Sequence, residues 1–159
     1  MKNRRTRLAG AAFLAYGLVM LYLLFGQRMG QMPDGTYWAM LKANLNLKPL
    51  DTLWRFWWVL ENSTQPGMRN HAVINLVGNV VMFVPLGLLT PCIWVKLRKF
   101  GWHFLYMVLV IVSVEVLQLI TLLGSCDVDD LLLNLVGTTI GFVIWKIGTA
   151  FQVKSKNRR

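Results

Sequence analysis

The residues best suited to chemistry in this chain are its few acids. The sequence holds seven Asp and Glu against seventeen Lys and Arg. Three of the seven, Asp127, Asp129 and Asp130, stand within the stretch GSCDVDDLLLNLVG between two long apolar runs. A fourth, Glu115, lies inside one of those runs, with Gln118 one helical turn further on. A charged side chain at the centre of a membrane helix costs roughly 2.5–3.5 kcal/mol or more. Glu115 is therefore expected to be either protonated or held by partners. Carboxylates so placed are suited to general acid or base work or to holding a divalent cation through oxygen ligands. Glu115 and Asp130 are the catalytic candidates, and Asp127, Asp130 and Glu115 the metal-ligand candidates, although three acids around one helix start do not define a metal site.

The partners come from polar residues on neighbouring stretches. Asn75 and Asn79 lie one turn apart in NLVGNVVMFVPLGLL. Asp127, Asp130, Asn134, Gly137 and Gly141 recur in steps of three and four, one stripe down a helix. At about 1.5 Å per residue, Asn75 and Asn79 lie roughly 5 and 10 Å below the entrance of their span. The same rise puts Glu115 and Gln118 at about 13 and 9 Å, and Asn134 roughly 6 Å below Asp130. Three helices thus place polar groups at similar depth, all in the same half of the membrane. The expected result is a shared pocket of Asn75, Asn79, Glu115, Gln118, Asp127, Asp130 and Asn134. A plainer reading is a hydrogen-bonded clasp between helices. For Asp127 and Asp129 it is an N-cap and first-turn charge on the last helix.

The elements that must position these groups follow from composition. The chain has 159 residues, is 55% hydrophobic and has a positive mean hydropathy. A soluble domain of this size could not bury so much apolar surface. Four runs are long enough to cross a bilayer, at 8–25, 72–94, 101–124 and 131–151. The first is expected to be an uncleaved anchor, because its apolar run is long for a secretory signal and no small-x-small site follows. The fold class is all-α, a four-helix membrane bundle forming a single domain over 1–159.

Orientation follows from the basic residues. Lys2, Arg4, Arg5, Arg7, Lys96, Arg98, Lys99, Lys146, Lys154, Lys156, Arg158 and Arg159 all fall at one end of the spans, with no acid among them. This predicts cytoplasmic termini and a polar pocket that opens outward. The net charge of +10 then reports membrane topology, and no nucleic-acid partner is expected. Cys92 and Cys126 fall near opposite membrane faces, too far apart for a disulfide. The one long connection, 26–71, begins with turn-rich sequence including Pro33–Gly35. It continues to a short interfacial helix expected over Asp51–Glu61 and capped by Asp51, whose Trp54, Trp57 and Trp58 suit the headgroup level or the top of the bundle. GTTIG at Gly137–Gly141 predicts close helix packing, and Pro85 with Gly87 predicts a bend in the second span. His71 and His103 are expected at the interfaces, in no metal-ligand spacing. No nucleophile-elbow, zinc-helix or phosphate-loop motif is present, and no cofactor is implied.

NLKPL at Asn46–Leu50, NLVGNVVMFVPLGLL at Asn75–Leu89, EVLQ at Glu115–Gln118 and DVDDLLLNLVGTTIG at Asp127–Gly141 together resemble the VanZ-like family of bacterial membrane proteins. The ordered set covers most of the chain. Family members often carry an Arg shortly before the first aspartate. Here Gly124, Ser125 and Cys126 occupy that stretch, so such a role would fall to Arg55 or Arg69. The resemblance implies a multi-pass protein of the bacterial cell membrane, in a family whose namesake is linked to low-level teicoplanin resistance. The expected partners are the lipid bilayer and, at the outer leaflet, a phospholipid headgroup or lipid-linked cell-wall precursor. Alternatives are an intramembrane acid/base or metal-dependent enzyme on a lipid-linked substrate, an ion or proton transporter, or a purely structural membrane protein. Transport is disfavoured by the scarcity of polar residues in the inner halves of the spans.

Overall fold

The computed structural model describes residues 2–26 and 35–156, so the turn expected at Pro33–Gly35 lies largely outside the described residues, as do Arg28 and Asp34. Four long helices dominate: α1 (Lys2–Phe25), α4 (Pro66–Ile93), α5 (Phe100–Thr121) and α6 (Val128–Lys156). Each contains a segment long and apolar enough to span a bilayer, at Thr6–Phe25, Pro66–Ile93, Phe100–Thr121 and Val128–Gln152. Two short helices, α2 (Tyr37–Ala43) and α3 (Asp51–Asn62), lie in the long connection.

The helix ends differ from the sequence boundaries for local reasons. α4 begins at Pro66 rather than Ala72, because Pro66 is preorganised for the first helical turn and the polar Arg69–His71 segment continues it. α5 stops at Thr121 rather than Gly124, because Leu122 adopts a left-handed backbone with φ 56°. α6 begins at Val128 rather than Leu131. The carboxylate of Asp127, just before it, accepts the Asp129 N–H at 2.8 Å and closes that first turn.

α4 and α6 form the most extensive helix pair and run parallel. Gly137 meets the backbone at Val80, Gly141 meets it at Val84, and Gly87 meets Thr138; a Cβ at any of the three would fall on a carbonyl oxygen. The GTTIG stripe is thus a seam against α4. α5 runs antiparallel against α6, with Phe100 and His103 against Phe142. α1 lies antiparallel along α4, bringing Phe13 to Trp94 and Leu24 to Gln118. A small core of Phe83, Met107 and Ile111, with Met20 and Leu86, fills the centre. Leu14, Leu18, Val77, Leu109 and Ile140 are exposed outward, as lipid-facing residues are in a bundle whose backbone polar groups are satisfied internally.

The connection is stitched to the α5–α6 turn by a two-residue parallel bridge of β1 (Leu45–Asn46) and β2 (Cys126–Asp127). The Cys126 N–H also donates to the Asn44 carbonyl at 2.8 Å. Both cysteines are free thiols. α3 packs on α4 and touches α6, while Trp54, Trp57 and Trp58 remain more than half exposed. It therefore rests on the bundle and presents its tryptophans outward.

Candidate functional site

The acids of the α5–α6 turn divide into two groups. Asp127 and Asp129 face the connection. Asp129, with no exposed surface, accepts the backbone N–H groups of Leu50 at 2.6 Å, Thr52 at 2.9 Å and Leu53 at 3.1 Å. It caps α3 from another part of the chain, where the helix N-terminus carries unpaired donors and partial positive charge. Asp51, expected to cap α3, does not: Leu50 occupies the cap position at φ 65° with no side-chain cap. Asp51 instead pairs with Arg55 at 3.3 Å on the surface. Asp129 is likewise no mere loop charge of α6.

Asp127 caps α6 with one oxygen and accepts the Thr52 hydroxyl at 2.6 Å and the Asn46 amide at 3.1 Å with the other. Thr52 also accepts from Arg55 at 2.9 Å. Of the two basic residues expected to substitute for an Arg before the aspartates, Arg55 therefore reaches this network. Arg69 instead bonds the Ser63 carbonyl at 3.4 Å. Thr52 and Asn46 were not singled out as site residues. Leu50, in the N-cap position of α3, has no capping side chain, but Asp51 directly after it masked that signal in the sequence.

Asp130 faces the bundle. Its carboxylate accepts the Asn79 amide at 2.6 Å, and Asn79 lies 3.5 Å from the Asn75 oxygen. Glu115, 4% exposed, accepts the Asn134 amide at 3.4 Å on one oxygen and the Asp127 N–H at 3.4 Å on the other. Gln118 donates to the Leu24 carbonyl at 3.1 Å, tying α1 into the cluster. Asn75, Asn79, Glu115, Gln118, Asp130 and Asn134 all line one pocket of about 570 Å³. Asp127 does not line it and reaches it only through its N–H to Glu115. The expected constellation is thus gathered, less one member.

The rest of the pocket wall comes from α1 and the exposed side of α4. Leu23, Ile74 and Val81 line it and are also among the exposed large hydrophobics. The pocket therefore combines a polar floor with an apolar mouth on a bilayer-facing surface. Tyr16 of α1 donates its hydroxyl to the Met82 carbonyl at the same wall. Pro85, also lining it, has no N–H to give the Val81 carbonyl four residues back. Among the described residues no Lys, Arg or His lines the pocket.

Among the described residues no cluster of three His, Cys, Asp or Glu could hold a metal ion; Asp127, Asp130 and Glu115 face different partners. Outside the spans, Cys126 is half-buried beside the cluster, and its thiol is pushed up from its ordinary value by burial first, then by the Glu115 and Asp127 carboxylates. His103 departs from the expected interfacial position. It is 1% exposed and packs 4.6 Å from Phe142, because α5 turns that face inward against α6. Thr90 is also fully buried at that end, so the far half of the bundle is less apolar than its sequence suggests.

A sequence profile described as VanZ/LLP1 matches residues 13–149. Protein VanZ of Enterococcus faecium is 25% identical over 83 residues, 51% of this chain and 50% of that protein. The match thus spans about half the length of that relative. No solved structure matches the chain.

Proposed function

The chain belongs to the VanZ/LLP1 family, and we propose that it is a multi-pass protein of the bacterial cell membrane that binds a lipid or lipid-linked cell-wall precursor from the outer leaflet. The carrying observation is the pocket of about 570 Å³, a volume typical of small-molecule sites. Its polar floor of Glu115, Asp130 and Asn134 meets the bilayer through an apolar mouth between α1 and α4. The charge distribution supports the outward orientation. The basic residues without accompanying acids fall at the α4–α5 turn and the two termini, the end away from α3 and the pocket. The exposed tryptophans of α3 suit the headgroup level at that end of the bundle.

On this reading a contribution to low-level teicoplanin resistance follows from occupancy of the pocket by a cell-wall precursor. The test expresses wild type, Glu115→Ala and Asp130→Ala in a strain lacking the protein and measures teicoplanin and vancomycin susceptibility. The wild type is expected to shift teicoplanin susceptibility and the variants to lose the shift. No change with any of them removes the resistance role.

A second reading has Glu115 as a general acid or base in an intramembrane enzyme. Among the described residues each of its two carboxyl oxygens accepts one hydrogen bond of 3.4 Å, longer than the usual N–H···O range of roughly 2.7–3.2 Å, so neither oxygen is tightly held. Lipid and precursor profiles of a deletion strain separate the two: a species that accumulates in the deletion and clears on complementation favours the enzyme.

A further inference from the structure

The face that α3 turns away from the bundle is aromatic. Thr52 is buried against the α5–α6 turn, whereas Trp54 and Trp57 stand more than half exposed. Large apolar side chains grouped in the open mark a contact surface. These two tryptophans, with Leu50 and Leu53, line a groove of about 750 Å³ to which α4 contributes Leu76 and the preceding turn contributes Lys48. The groove shares no lining residue with the pocket of Glu115 and Asn134. At 3.6 residues per turn, Leu76 lies on the opposite side of α4 from the pocket residues Gly78 and Pro85.

The acids near the groove are already engaged. Asp51, which also lines it, pairs with Arg55 at 3.3 Å. The buried Asp129 is held by the N–H groups of Leu50, Thr52 and Leu53. Among the described residues no carboxylate pairs with Lys48. Its ammonium has only donors to offer, as do the indole N–H groups of Trp54 and Trp57. An anion entering the groove therefore meets a cation and two donors.

We propose that this groove seats the headgroup of an anionic phospholipid from the leaflet on the α3 side, with its phosphate at Lys48 and its acyl chains descending along α4 past Leu76. The site is separate from the pocket and does not depend on what the pocket binds. Two observations commit the occupant. The first is charge complementarity between Lys48 and a phosphate. The second is continuity with the bilayer. Leu76 lies four residues, about 6 Å, inside the apolar run that begins at Ala72. Val73 and Val77, beside it on α4, are exposed. Whatever fills the groove against Leu76 thus meets the lipid-facing surface directly. The tryptophans place an apolar ring and a polar N–H at the boundary between chains and headgroup, and the lysine stem can lie along them with its charge at the phosphate.

The test puts a photoreactive benzoylphenylalanine in place of Trp57 in the full chain, reconstituted in nanodiscs with equal amounts of phosphatidylglycerol and phosphatidylcholine of the same acyl length. Irradiation followed by mass spectrometry reads which lipid sits at that position. Phosphatidylglycerol adducts are expected to exceed phosphatidylcholine adducts about fivefold, the scale of one lysine at an anionic lipid surface. Lys48→Gln should bring the two to parity. Gly78→Leu, which fills the other pocket where a Cβ meets nothing, should leave the excess unchanged. Cooperative thermal unfolding of each variant checks that the bundle is intact.

Equal adducts of the two lipids before Lys48 is changed, or an excess that survives Lys48→Gln, overturn the headgroup assignment. An excess that Gly78→Leu also removes ties the lipid to the pocket and overturns the separate groove. Adducts to neither lipid overturn the groove as a lipid site. None of these results bears on whether the pocket itself holds a ligand.

Discussion

Replacing Asp129 by Ala should release α3 while leaving the bundle folded. The carboxylate holds the N–H groups of Leu50, Thr52 and Leu53 at 2.6, 2.9 and 3.1 Å. An unpaired buried donor costs about 1–3 kcal/mol, and loss of a side-chain cap about 0.5–2 kcal/mol. Of the three bonds only that to Thr52 is fully buried; the Leu50 and Leu53 donors are partly within reach of water. Counting the buried one in full and the others as cap loss gives about 3 kcal/mol for Asp129→Ala. That corresponds to roughly two powers of ten in the equilibrium holding α3 down. Asp129→Asn keeps one acceptor oxygen and turns the other into a donor, so about half the loss is expected. The assay is amide hydrogen exchange in lipid nanodiscs, which reads local opening separately from global unfolding. Protection across Asp51–Asn62 should fall in the order wild type, Asn, Ala, with α5 and α6 unchanged. If Asp129→Ala keeps α3 protection within about twofold of wild type, the reasoning that this carboxylate anchors α3 fails.

Three further outcomes follow. Gly141→Leu should prevent close approach of α6 to α4, because even a Cβ there lands on the Val84 carbonyl. A loss of about 1–3 kcal/mol or more is expected for overpacking of this kind, read as loss of folded material in detergent, whereas Gly148→Leu, with open space around it, should be neutral. Thr52→Val should unseat the Asp127–Thr52–Arg55 link at a cost of about 1–3 kcal/mol, measured by thermal unfolding against wild type. The Cys126 thiol is raised by burial and by the Glu115 and Asp127 charges, so its thiolate fraction at fixed pH is low. Removing one repelling charge lowers that pKa and raises the fraction. On a Cys92→Ser background, Glu115→Gln should therefore speed Cys126 alkylation at about pH 8 by about two- to fivefold. Equal rates would show that Glu115 carries no charge beside it.

The four spans and the polar constellation were legible because both are exceptions to a background. Long apolar runs are rare in soluble chains, and acids or amides inside such runs stand out by depth alone. Matching depths on three helices is what gathered Asn79 with Asp130 and Asn134 with Glu115. The small-residue stripe of α6 was legible as a packing face, but its partner was not, since a stripe does not name the helix it meets. The role of Asp129 was hidden for a different reason. Its partners are three backbone N–H groups at the start of α3, and backbone donors have no signature in sequence. Its apparent rival, Asp51, sat in the position where a local cap is usually found. Asp127 followed the pocket stripe in sequence, yet ending α5 at Leu122 and starting α6 at Val128 turned its side chain toward Asn46 and Thr52. The burial of His103 depended on Phe142 of α6, a contact that only the packed bundle creates.

The central claim is that the pocket between α1, α4, α5 and α6 holds a membrane-derived ligand on its acidic floor. A crystal structure grown from a lipid phase containing native membrane lipids tests it most directly. The account predicts head-group density within hydrogen-bond distance of Asn134 Oδ1 and Glu115, with acyl density leaving past Ile74 and Val81. A floor occupied by water alone, or closed by repacking of α1 against α5, would contradict it.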